Sequence, residues 1–151
     1  MLSSRMIALA VAVLITIPCL ANPPAAKVQA LKTTDDARNL TESVMKLVVV
    51  DKIDDAFTLL KPYWQLPASE LDTVVMKTIA MRNTVADRFG RPTAYALVRE
   101  EPVGDFLVRY IYVEKRERHP LYWMFVFYRP ADQWTVDGAS WNDNVLAFFP
   151  K

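Results

Sequence analysis

Arg109 is the side chain most out of keeping with its surroundings, set inside the run Phe106-Leu107-Val108-Arg109-Tyr110-Ile111. A guanidinium in an apolar strand has two uses. It can clamp a carboxylate or phosphate through paired N–H bonds. It can equally pair with a carboxylate on a nearby strand, for which Asp137 is the candidate. Tyr110, Tyr112, Tyr122 and Tyr128 each offer an apolar body and a hydroxyl that could orient a bound molecule; the alternative is packing in a core or a subunit interface. Asp137 could serve as a general base if buried beside such a pocket, or as a structural ion partner. Trp134 and Trp141 suit the anchoring of strands to helices, and Trp141 also suits contact with a ligand. These seven positions, Arg109, Tyr110, Tyr112, Tyr122, Tyr128, Asp137 and Trp141, are the candidate ligand-binding set.

No catalytic residue is assigned. Glu100 and Glu101 are adjacent, so in a strand they face opposite sides and form no carboxylate pair. His119 is the only histidine and precedes Pro120 in an expected turn. Cys19 is the only cysteine. A transition-metal site would therefore depend on carboxylates, and none cluster suitably. No metal and no cofactor are expected. Gly90, Gly104 and Gly138 are the only glycines, too scattered for a phosphate loop. The formal charge of the whole chain is +1. With no basic stripe, nothing suggests binding to nucleic acid.

The elements that must position these residues fall into two halves. Thr33-Thr34-Asp35-Asp36 reads as a capping box opening a helix over about Asp35–Val49, with Ala37, Leu40, Val44, Leu47 and Val48 at helical spacing. A shorter helix starts near Asp51, with Ile53, Ala56, Phe57 and Leu60 on one side, and Pro62 ends it. Ser69-Glu70-Leu71-Asp72 suggests another cap, opening a helix of about twenty residues that Gly90 stops. Thirteen of the seventeen aromatic residues lie beyond Gly90. Four strand-like runs follow, Thr93–Glu100, Phe106–Lys115, Leu121–Arg129 and Trp134–Trp141, joined by short turns that make neighbours antiparallel. Gly138 marks a bulge or bend. The result is an α+β domain of three helices on a bent four-stranded antiparallel sheet, with the third helix across one face. Both faces of the middle strands are apolar, so both want cover.

Ahead of this domain, over residues 33–151, stand two shorter segments. Residues 1–21 have the layout of a secretory signal peptide: Arg5, an apolar run from Met6 to Ile17, and Cys19-Leu20-Ala21 as the cleavage site. The twelve-residue run falls short of the roughly twenty needed to span a bilayer, so no stable anchor is expected after cleavage. Lipidation at Cys19 fits less well, because Thr16-Ile17-Pro18 is a poor lead-in. Cleavage removes both Cys19 and Arg5, leaving a cysteine-free domain of zero formal charge. That points to a bacterial periplasm or a secreted location. Residues 22–32 are Pro- and Ala-rich and read as a flexible leader.

Three helices over Asp35–Phe89, the turn Tyr128-Arg129-Pro130-Ala131-Asp132-Gln133-Trp134-Thr135-Val136, and the ending Trp141-Asn142-Asp143-Asn144-Val145-Leu146-Ala147-Phe148-Phe149 together carry a family likeness. Over roughly Asp35 to Phe149 the chain resembles exported bacterial members of the nuclear transport factor 2-like superfamily, the cystatin-like α+β cone that ketosteroid isomerase also has. The resemblance implies a pocket between the concave sheet and the helices, and a homodimer through the sheet. It implies no particular activity. The isomerase needs an acidic base, a tyrosine and a protonated acid at one carbonyl oxygen, and no position here matches that set. The leading expectation is an exported, non-enzymatic domain that binds a small apolar or amphipathic ligand, or a protein partner. The alternatives are an isomerase or dehydratase using Asp137 and pocket tyrosines, and an accessory module of an envelope assembly.

Overall fold

The computed structural model describes residues 28–65 and 67–149. The expected export signal, Cys19 and the start of the leader lie outside them. Three helices precede four strands: α1 (Thr34–Val48), α2 (Ile53–Leu60), α3 (Ala68–Phe89), β1 (Pro92–Val103), β2 (Leu107–Arg116), β3 (Leu121–Tyr128) and β4 (Thr135–Asn142). The sheet is an antiparallel meander in the order β1-β2-β3-β4.

Local chemistry sets the helix ends. At α1 the capping box is complete: Thr33 Oγ1 accepts from Asp36 N–H, and the Asp36 carboxylate accepts from Thr33 N–H, both at 3.0 Å. This satisfies backbone donors that the helix itself leaves free. The chain leaves α1 through a tight turn, in which Asp51 N–H donates to Val48 O (3.0 Å) and Lys52 N–H to Leu47 O (3.0 Å). Asp51 takes φ 63° there, a left-handed conformation that Asp tolerates better than bulkier side chains. At α3 the expected cap on Ser69 is not used. The helix opens two residues earlier, at Ala68 behind Pro67, a proline that fits at a helix start because no backbone donor is needed there. Gly90 stops α3 at φ 82°.

The main core lies between the sheet and α1–α2. Val44, Met45 and Val48 of α1 and Ile53, Phe57 and Leu60 of α2 meet Tyr110, Tyr112, Trp123, Phe125 and Phe127. Each large ring buried this way contributes about 1.5–3 kcal/mol. α3 shares this face with α1 and α2. α3 adds Leu71 to that core, with Val74 and Val75 packed beside it, and packs further along through Val85 and Phe89 in a second cluster with Leu121.

At Gly138 the register between β3 and β4 shifts, with Val126 opposite Gly138 and Phe127 opposite Val136. Asp137 is the extra residue of that bulge. The leader is tied to the body earlier than its composition implies: Gln29 N–H donates to Pro62 O (2.7 Å), and Leu31 exchanges two 2.8 Å backbone bonds with Trp134. Among the described residues, no helix is long and apolar enough to cross a membrane.

Candidate functional site

The strand alternation splits the seven candidate residues into separate groups. Tyr110 and Tyr112 point toward the helices and are fully buried. The Tyr110 hydroxyl donates to Thr34 O at 2.7 Å, and the Tyr112 hydroxyl shares a 2.7 Å bond with Thr41 Oγ1. Burial pushes both phenols well above the usual tyrosine range. Both rings pack edge-on against phenylalanines, Tyr110 on Phe127 and Tyr112 on Phe125. Their hydroxyls are spent on fastening α1 to β2. The space where the resemblance implies a ligand is filled by these side chains.

Arg109, Tyr122 and Tyr128 stand on the opposite face. Arg109 is paired across the hairpin with Glu101 rather than with Asp137: its Nε donates to Glu101 Oε2 at 2.7 Å, and its Nη2 reaches the same oxygen. The signal for this partner was present in the sequence. A β1–β2 turn centred on Asp105 sets position 101 opposite position 109. Asp137 is exposed at the β4 bulge. It does not converge with the buried tyrosines, which lie on the other side of their own strand's ladder.

Trp141 alone of the seven borders an open concavity. Between α3 and β4 runs a cleft of about 690 Å³. Val74, Met81, Val85 and Phe89 of α3 form its apolar floor and wall together with Ala139 and Trp141 of β4. Trp141 Nε1 donates to Thr78 Oγ1 at 3.2 Å, and its ring lies 6.3 Å from that of Trp123. The indole is thus held at both ends while one face stays open. Lys77 and Arg88 sit on the α3 wall, with Ser140, Asn142 and Asp143 opposite. Arg88 Nη1 and Asp143 Oδ2 close one end at 3.4 Å. The Asp143 carbonyl is in turn bonded to His119 Nε2 at 2.9 Å. No family model, no curated protein and no solved structure matches the chain.

Behind the cleft lies a charged cluster that the sequence pattern did not single out. Glu114 is fully buried. Its carboxylate accepts from Arg82 Nη1 and Nη2 (3.2 Å each), from Trp123 Nε1 (2.7 Å) and from Arg116 Nη1. Arg82 Nε donates further to Asp51 Oδ1 at 2.6 Å and Arg116 Nε to Gly90 O at 2.8 Å. Burial lowers the Arg116 pKa, against the pull of Glu114, which raises it. Two guanidiniums and two carboxylates balance. The cluster joins the α1–α2 turn, α3, the α3–β1 junction and β2. Its signal was a glutamate two residues beyond Tyr112, on the face given to Tyr110 and Tyr112. Among the described residues, no group of three or more His, Cys, Asp or Glu side chains is arranged to hold a metal ion.

Proposed function

We propose that this protein is an exported, non-enzymatic binding domain that holds one small amphipathic molecule in the α3–β4 cleft. The observation that carries this is the cleft itself. Its volume of about 690 Å³ falls in the ~300–1,000 Å³ range of small-molecule sites. Its apolar lining with polar groups along the rims suits a molecule with a greasy body and a polar head. The order of three helices before a four-stranded antiparallel meander supports kinship with the nuclear transport factor 2-like superfamily. The ligand's place is displaced outward, because aromatic rings fill the concave side. The isomerase or dehydratase alternative calls for an acid and a tyrosine at one point. Asp137 at an exposed bulge and tyrosine hydroxyls bonded to α1 favour binding over that chemistry.

The test uses cis-parinaric acid, a fluorescent acyl chain, with the full chain as the host processes it. One equivalent should bind. Thr84→Trp fills the cleft from its α3 wall, where Thr84 is exposed, so the fold is spared and affinity should fall at least about tenfold, a change of about 1.4 kcal/mol. Equal binding by the filled variant, or no binding by the parent, sinks the proposal.

A further inference from the structure

The sheet order β1-β2-β3-β4 leaves two edge strands. β1 carries devices that resist the addition of another strand: Pro92 and Pro102, two slips in its register with β2, and the charges of Arg99, Glu100 and Glu101. β4 differs. The start of its edge is already paired by other segments of the same chain. Leu31 exchanges two backbone bonds with Trp134, 2.8 Å each, and Gln65 N–H donates to Val136 O at 3.3 Å. Past the bulge, Gly138–Asn142 hold no proline and no charged side chain. Among the described residues, their backbone groups bond to no backbone outside β3.

That vacant edge is one wall of the α3–β4 cleft. The cleft meets five consecutive residues, Ala139 to Asp143. A space lying over one sheet face would meet alternate residues, because neighbours along a strand point to opposite faces. Contact with consecutive residues is what the edge of a strand presents. In an antiparallel ladder every second residue turns its N–H and C=O away from its partner strand. Building on the cleft as the binding site, we propose that its ligand is a short peptide, which lies extended against β4 as a fifth strand. Its backbone amides are the polar part and pair with the free edge, continuing what Leu31 and Gln65 begin. Its side chains alternate, so every second one drops toward Val74, Met81 and Val85 of α3 and supplies the apolar part. The vacancy is closed at both ends. Gln65 holds Val136, and the Arg88–Asp143 pair stands at 3.4 Å just beyond Asn142. Between them Gly138–Asn142 span about 17 Å at ~3.4 Å per residue, room for about five residues. A segment passing through into a folded partner would run against those closures, and a free peptide does not.

The probe is acetyl-Thr-Leu-Thr-Leu-Thr-amide, titrated by calorimetry into the full chain as the host processes it. Two N-methylated forms keep every side chain and remove backbone donors, one at the leucines and one at the threonines. Strand addition uses the donors of one alternate set only. One form should therefore lose at least about tenfold in affinity and the other less than about threefold. The parent peptide should slow hydrogen exchange at the amides of Gly138–Asn142. Flanking the pentamer with five residues on each side should weaken its binding. Equal losses from the two N-methylated forms, protection elsewhere, tighter binding by the flanked peptide, or no peptide binding each overturns the proposal. So does protection of the same amides without peptide that grows with protein concentration, which would put a second copy on the edge. If cis-parinaric acid still binds in any of these cases, the cleft survives as an amphipathic site and only the peptide is lost. If neither binds, both proposals fall.

Discussion

Strand β2 carries an arginine–glutamate cluster on each of its faces, and the two share little beyond their chemistry. On the helix side, Glu114 is sealed from water and takes donors from Arg82, Arg116 and Trp123. On the far side, Glu101 takes donors from Arg99 and Arg109 in a setting where Arg109 keeps 47% of its side chain exposed. The inner groups surrendered their hydration when the chain folded, so each holds the others in place, and removing Glu114 leaves Arg116 without a carboxylate and Arg82 with only the Asp51 contact at its Nε. The outer groups can exchange a protein partner for water at little cost. The same residue types therefore fasten one face and stay in reach of water on the other.

The largest effect expected from this contrast is at Glu114. Glu114→Ala takes the shared carboxylate from buried Arg116 and from the Nη groups of Arg82, and should cost about 3–5 kcal/mol of stability in urea unfolding. That is a large share of the roughly 5–15 kcal/mol a domain of this size possesses. Replacing the whole cluster at once, Arg82→Met with Glu114→Leu and Arg116→Met, should recover most of that loss. A cost below about 1 kcal/mol for Glu114→Ala would erase the distinction between the two faces.

A second test uses alkaline pH to probe the inner face. Burial raises the pKa of Tyr110 and Tyr112. Tyr95 is pushed up to about 12 by burial and by the Glu42 carboxylate it donates to. The folded chain keeps protons that the unfolded chain releases near the ordinary tyrosine value, about 10. Stability is then fully present below pH 10. It falls as pH rises from 10 toward 12, by up to about 1.4 kcal/mol per pH unit for each tyrosine. Urea midpoints at pH 9, 10 and 11 should show the decline, and Tyr112→Phe should make it shallower. A flat profile through pH 11 would mean that these hydroxyls are less enclosed than their bonds to α1 indicate.

The smallest effect belongs to the outer face. Arg109→Ala should change stability by less than about 1 kcal/mol, as exposed pairs do. A loss of 2 kcal/mol or more in the same urea assay would place the outer cluster among the structural fastenings.

What was legible in the chain was local. Thr33 and Asp36 close a box three residues apart, Gly90 ends a helix, and Gly138 sits where the ladder slips; each depends on neighbours within one turn or one strand pair. Alternation also sorted β2 and β3 into two faces, separating Tyr122 and Tyr128 from Trp123, Phe125 and Phe127. Parity alone did not say which faces of different strands coincide, so the four tyrosines read as one lining when they are two.

Composition and periodicity by themselves determined the α+β class, the order of helices before strands, and most element ends to within a few residues, because hydrogen bonds and turns act over short stretches of chain. Only tertiary structure decided that Arg82 reaches Glu114 across 32 residues, that α1 and α2 supply most of the helix side of the main core, and that Trp141 borders the open cleft. Those outcomes depend on how whole elements share one limited volume, and no single segment carries that information.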